Sequence, residues 1–336
     1  MNRFLRVALC VALFSICAVA QININGAGAT FPYPIYSKWF SEYHKANPNV
    51  QINYQSIGSG GGIRQLLEGT VDFGASDGPM TDEQLAEAKV KILHVPTVLG
   101  SVVPAYNIPG VTQELKFTPD VLAGIFLGTI KNWNDPAIAK ANPGVKFPSQ
   151  EIVVAHRSDG SGTTYVFTDY LSKVSPEWQK TVGKGTSVKW PASTAIGGKG
   201  NEGVAGTILQ IQGSIGYIEL IYAVQNKIPF GTVQNAAGTF VKASLESTTA
   251  AAASAQMPAD FRVSITNAPG KNAYPIASFT WLLVPVQSKD AAKGKVLKDF
   301  LAWMLDKGEP MAAQLTYAPL PNAVSKMVRA EIQQIH

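Results

Sequence analysis

In "RSDGSGTTYVFTDYL", residues 157–171, a guanidinium and a carboxylate stand two residues apart just ahead of a Ser-Gly-Thr-Thr run. The run leads into Val166, Phe167, Tyr170 and Leu171, an apolar stripe of helical spacing. A glycine-rich turn feeding a helix aims backbone N–H groups at one point, and the helix dipole adds positive potential there, so an anion is the natural occupant. Arg157 offers a planar fork of donors matched to two oxygens of a tetrahedral oxyanion, with Asp159 placed to hold the fork from behind; the same pair also suits a surface salt bridge. Two further loops share this composition, "GAGATF" (26–31) and "GSGGG" (58–62), each carrying a Thr or Ser hydroxyl that can donate. One such loop by itself is most simply a turn or a helix cap; three point to a ligand.

Asp77 closes the stretch "TVDFGASD". A carboxylate beside an anion site repels its occupant unless the anion brings a proton to donate, which phosphate does near neutral pH and sulfate does not. The competing role, a cap for "TDEQL", falls better to Thr81.

Other chemistries lack their residues. "GSGGGIRQ" has no Lys-Ser/Thr pair after its last glycine, "GGKGNEG" (197–203) has a lysine without the preceding spacing, and Pro32 and Pro34 stand where a dinucleotide fingerprint needs its third glycine. Asp159 occupies the position two before Ser161 where a hydrolase elbow requires glycine, and His156, Asp159 and Ser161 crowd into six residues, unlike any catalytic triad. His44, His94, His156 and His336 are scattered without metal-ligand spacing. Neither a cofactor nor a metal is expected.

These loops need a scaffold. From Gln21 the chain alternates strand and helix: "INING", a helix through Ile35, Tyr36, Trp39, Phe40 and Tyr43 ending at Asn47-Pro48, a strand with Val50, Ile52 and Tyr54, a helix with Ile63, Leu66 and Leu67, and a strand ending at Asp77. This order predicts an α/β fold on a parallel sheet, with ligands beyond the carboxyl ends of the strands, where "GAGAT", "GSGGG" and "ASD" all fall. Two long apolar stretches, 94–108 and 275–285, suit crossings between domains. They predict a discontinuous domain I of residues 21–98 and 276–336 enclosing a domain II of residues 104–275. Residues 243–258 read as a surface helix with a loop.

The 336 residues, 46% hydrophobic and 15% charged, suffice for two domains with sizeable cores. Arg3 and Arg6 precede a short apolar run closing on Ala18-Val19-Ala20, the pattern of a secretory signal over residues 1–20. Cys10 and Cys17 fall inside it, so the mature chain would have neither disulfide nor thiol nucleophile; Ile16 stands where lipidation of Cys17 wants a small residue. The net charge of +5 becomes +3 without the two leader arginines, and with no cluster of basic residues it does not suggest nucleic acid.

Taken together, "GAGATFPYPIYSKW", "YQSIGSGGGIRQL", "VDFGASD", "RSDGSGTTYVFTDYL", "VKWP", "GGKGNEGV", "GSIGYIEL" and "YAPLP" resemble the periplasmic phosphate-binding (PstS) family of the high-affinity phosphate ABC transporter, in order along nearly the whole mature chain. The resemblance implies a type II periplasmic-binding-protein fold, two α/β lobes joined by two crossover hinge strands and closing on a dehydrated phosphate. It implies a non-enzymatic, monomeric, periplasmic receptor that hands inorganic phosphate to membrane permease subunits. Matched residue by residue, Thr30 and Phe31 would give backbone N–H groups and the Thr30 hydroxyl, Ser59 a second-loop donor, and Asp77 the acceptor for the phosphate proton. Arg157 would be the cationic fork, Asp159 its support, and Ser161, Gly162 and Thr163 the helix-start donors. Receptors for sulfate, phosphonate or arsenate, and an extracellular phosphatase, remain the alternatives.

Overall fold

The computed structural model describes residues 21–336; the leader predicted over residues 1–20, with Cys10 and Cys17, lies outside the described residues. Strands follow one another along the chain as β1 (Ile22–Gly28), β2 (Val50–Ser56), β3 (Phe73–Ser76), β4 (Ile92–Asn107), β5 (Lys116–Phe117), β6 (Val153–Arg157), β7 (Ile196–Gly198), β8 (Ser214–Glu219), β9 (Thr232–Gln234), β10 (Phe240–Val241) and β11 (Ala277–Pro285). Eight of them form one sheet in the order β2-β1-β3-β11-β4-β8-β6-β7, and β10-β9-β5 form a small second sheet.

The sheet is mixed, which corrects the expectation of a parallel one. Its two ends are parallel, β2-β1-β3 and β8-β6-β7, while β11 runs antiparallel to both β3 and β4, and β4 antiparallel to β8. The reason lies in the two apolar stretches. β4 pairs with β11 from Ile92 to Ser101 and then with β8 from Val102 to Asn107, so one strand serves both ends of the sheet. The returning strand β11 enters from the far side and can pair only in the opposite sense. Every residue of β4 up to Tyr106 is buried, which is why its sequence reads as one apolar run rather than an alternation.

The helices take the faces that their periodicity predicts. The helix Tyr33–Ala46 begins with Pro34 in its first turn, ends with His44 and Lys45 in its last, and buries Ile35, Tyr36, Trp39, Phe40 and Tyr43. Its Trp39 Nε1 donates to the Gly308 carbonyl at 2.8 Å, tying this helix to the C-terminal region. β1 extends beyond "INING" through Gly28, because glycine at 26 leaves room for the Phe73 ring and Gly28, at φ +146°, lets the backbone pass against Ala75. The helix Leu245–Ala253, with a Ser244/Ser247 capping box, lies where a surface helix is expected, but its inner face is buried and Thr248 Oγ1 is 2.7 Å from Ser101 Oγ on β4.

Among the described residues, no helix is long and apolar enough to cross a membrane, and no cluster of His, Cys, Asp or Glu is arranged to hold a metal ion.

Candidate functional site

Every residue predicted for the site lies at one place, where the carboxyl ends of β1, β3 and β6 meet the starts of the helices Ser59–Glu68, Gly162–Val174 and Gly200–Gln210. Thr30, Phe31, Ser59, Asp77, Arg157, Ser161 and Thr163 are all buried. Segments far apart in sequence touch here: the Gly60 N–H donates to the Gly160 carbonyl at 2.9 Å and the Gly162 N–H to Ser59 Oγ at 3.0 Å.

The first loop is held by its carbonyls. Tyr54 donates to the Ala29 carbonyl at 2.8 Å, Tyr222 to that of Thr30 at 2.6 Å, and Tyr317 to that of Phe31 at 2.6 Å. In a trans peptide the N–H points opposite the C=O. Anchoring the Ala29 and Thr30 carbonyls outward therefore turns the Thr30 and Phe31 N–H groups the other way, and neither has a hydrogen-bond partner among the described residues. The same holds for the N–H groups of Ser59 and Thr163, each in the first turn of its helix, where no intrahelical acceptor exists.

Arg157 ends β6 with its side chain buried. Its Nε donates to Asp159 Oδ1 at 2.8 Å and its Nη2 to Oδ2 at 2.5 Å, a bidentate grip, while Nη1 reaches Thr163 Oγ1 at 3.3 Å. Burial alone would raise the Asp159 carboxyl, but the guanidinium and the Gly200 N–H hold it below the usual carboxylate range. The fork is thus fixed from behind, with its other edge free to face the loops.

Asp77 behaves differently. Its Oδ1 accepts from Thr280 Oγ1 at 2.8 Å, whereas Oδ2 is buried without a partner among the described residues. Burial raises its pKa to about 7, against the opposing pull of Thr280, Arg157 and Ser59. As expected, it is not a helix cap, since Thr81 and Gln84 form the capping box of the next helix. Oδ2 faces the start of the Gly162–Val174 helix, where a Cβ on Gly162 would come within 2.5 Å of it.

Two predicted donors are already engaged in part. The Ser161 hydroxyl caps its helix by accepting from the Thr164 N–H at 3.0 Å, its own N–H goes to the Thr186 carbonyl, and the Gly162 N–H goes to Ser59. No triad forms from His156, Asp159 and Ser161: His156 Nδ1 contacts the Arg157 carbonyl at 2.8 Å, its ring stacks on Trp190, and Asp159 serves Arg157.

One participant escaped the sequence reading. Asn201, fully buried, donates through Nδ2 to Thr30 Oγ1 at 2.7 Å and to Thr163 Oγ1 at 3.1 Å. It opens the Gly200–Gln210 helix out of "GGKGNEG", a fourth glycine-rich turn running into a helix, and that resemblance to the other three was the available signal.

Residues 18–307 match the family model described as a PBP superfamily domain. The chain is 49% identical over 313 residues to the phosphate-binding protein PstS of Xylella fastidiosa, covering 92% of this chain and 85% of that one. It is 48% identical over 333 residues to the phosphate-binding protein PstS of Pasteurella multocida, covering 98% and 95%. Among solved structures, a high-affinity periplasmic phosphate-binding protein bound with phosphate aligns with a TM-score of 0.76 at 24% identity, over 92% of this chain and 93% of that one, a likeness of fold.

Proposed function

Because this chain belongs to the PstS phosphate-binding proteins of the PBP superfamily, we propose that it is a solute-binding receptor that captures inorganic phosphate and delivers it to an ABC-type importer. It is a receptor, not an enzyme. Its ligand site is the buried cluster of Thr30, Phe31, Ser59, Asp77, Arg157, Ser161, Gly162 and Thr163, with Asp159 supporting Arg157. The N–H groups of Thr30, Phe31, Ser59 and Thr163, three hydroxyls and the free edge of the guanidinium supply the donors.

The observation that carries the choice of ligand is Asp77 Oδ2, a buried carboxylate oxygen without a partner set among donors. A fully ionised oxyanion meets repulsion there; one that keeps a proton near neutral pH makes a charge-assisted hydrogen bond. That selects phosphate over sulfate and leaves arsenate, which carries the same proton, as an expected competitor.

The proposed lobes are residues 21–98 with 276–336, and 104–275; the change of partner of β4 from β11 to β8 between Ser101 and Val102 supports this division. Ligand contacts from both lobes favour the closed arrangement, and closure is the signal offered to the permease. The receptor acts as a monomer in the periplasm after removal of the leader at residues 1–20. Calorimetry with phosphate and sulfate, alongside turnover of a chromogenic phosphate ester, tests this: tight uptake of phosphate with no turnover is expected, and turnover without binding of free phosphate would overturn it.

A further inference from the structure

Each hydroxyl facing the site has one proton to give and two lone pairs that accept. Both lone pairs of Thr30 Oγ1 are occupied by Asn201, through its N–H at 3.2 Å and its Nδ2 at 2.7 Å. Thr163 Oγ1 accepts from Arg157 Nη1 at 3.3 Å and from Asn201 Nδ2 at 3.1 Å. Ser59 Oγ accepts from the Asp77 N–H at 3.3 Å and the Gly162 N–H at 3.0 Å. With the acceptor side of all three filled by protein donors, each O–H is left to donate into the site.

Asn201 controls two of these three, and its own orientation is determined. The Glu219 N–H donates to Asn201 Oδ1 at 2.9 Å, and a backbone donor cannot reverse its role, so the carbonyl oxygen of the amide must face Glu219 and the NH2 group must face the threonines. The two NH2 hydrogens then go one to Thr30, before the β4 crossing, and one to Thr163, beyond it. No polar atom of this amide is left over.

We propose that Asn201 is a positioning residue for oxyanion capture: it holds the Thr30 and Thr163 hydroxyls as donors and ties the two lobes together through them, so that the anion meets donors everywhere except at Asp77 Oδ2. The inference rests on the assignment of this cluster as the phosphate site. An aspartate at 201 keeps the shape and the acceptor for Glu219, but as a carboxylate it draws both hydroxyl protons toward itself and turns the threonines' lone pairs toward the anion. When that carboxyl is protonated it regains one donor.

Phosphate titration of the wild type, Asn201→Ala and Asn201→Asp between pH 5 and 8 tests this. N201A is expected to lose about 100-fold or more in phosphate affinity, from two misaligned charge-assisted donors. N201D is expected to lose more at pH 8, and its affinity relative to wild type should recover at least about tenfold by pH 5. Division by the wild-type value removes the titrations of phosphate and of Asp77. N201A within threefold of wild type, or an N201D ratio that stays flat across the range, overturns the inference, because a purely structural asparagine gives no proton-dependent rescue. N201D, being isosteric, decides the matter even where N201A does not fold. A wild type that takes up no phosphate removes the site assignment and the inference with it, whereas a binding wild type with unaffected variants removes the inference alone.

Discussion

Asp77 and Arg157 are both buried in one cluster, and their surroundings differ in the way the two proposed roles require. Arg157 is neutralised from behind by Asp159, so its charge is held in place without being exhausted. Asp77 has a hydroxyl on one oxygen and nothing on the other, and burial lifts it to about 7. Above that pH it is an acceptor only; below it, the neutral acid can donate to an ion that has no proton of its own. Sulfate competition against phosphate is therefore expected to strengthen as pH falls from 8 to 5, and sulfate titrations across that range check it. Asp77→Asn removes the share of the dependence that comes from Asp77, leaving that of phosphate's own titration, and lowers phosphate-over-sulfate selectivity by on the order of 100-fold or more, since the amide can donate at any pH. Unchanged selectivity in D77N would exclude Asp77 from this role. Both residues were legible in the sequence, one as a strand-end carboxylate that Thr81 relieved of capping, the other as a fork ahead of a helix. Asn201 was not, because an asparagine gains meaning only from what surrounds its amide.

The elements meet the site through glycine and through caps. A side chain at Gly162 would enter the gap between the helix start and β3, within 2.6 Å of the Asp77 N–H nitrogen as well as of Oδ2. Gly162→Ala is expected to cost about 100-fold or more in phosphate affinity by holding the two elements apart, with little change in the unfolding temperature of the unliganded protein. Calorimetry and a thermal melt of the same variant separate the two effects. Outside the predicted ligand residues, Glu309 is buried after a π-helical turn, Met304–Gly308; its Oε2 accepts from the Leu320 N–H and its Oε1 has no partner among the described residues. Burial raises its pKa to about 8. The native state thus binds this proton more tightly than the unfolded chain does, so its contribution is full below the ordinary glutamate range and is lost as pH climbs toward 8. Asp77 adds a loss of the same sign up to about 7. His94, which burial lowers to about 4, works the other way, its contribution being present above the ordinary histidine value and lost as pH falls through 4. Glu309→Gln should flatten the decline in melting temperature between pH 5 and 8; a slope equal to wild type would show that this carboxyl titrates normally.

For the molecule as a whole, Gly60 on Gly160, Asn201 on Thr30, and Tyr222 on the Thr30 carbonyl are the contacts between distant segments that a ligand held by both would favour over a more open arrangement. Phosphate at a thousand times its dissociation constant is expected to add about 4 kcal/mol to stability and to reduce the radius of gyration in solution scattering. Stabilisation without contraction would argue against hinge closure as the signal. The order of strands and helices from Gln21 to Asp77, the two long apolar stretches, the donor-rich loops and the carboxylate at a strand end could be read along the chain, because periodicity, glycine and charge act over a few residues. The antiparallel centre of the sheet could not, since strand direction depends on the side from which β11 returns, nearly 200 residues after β4 begins. Nor could the three tyrosines on the first loop or the asparagine between two threonines. Hydrogen-bond polarity is a property of completed networks, and these close only when distant segments meet.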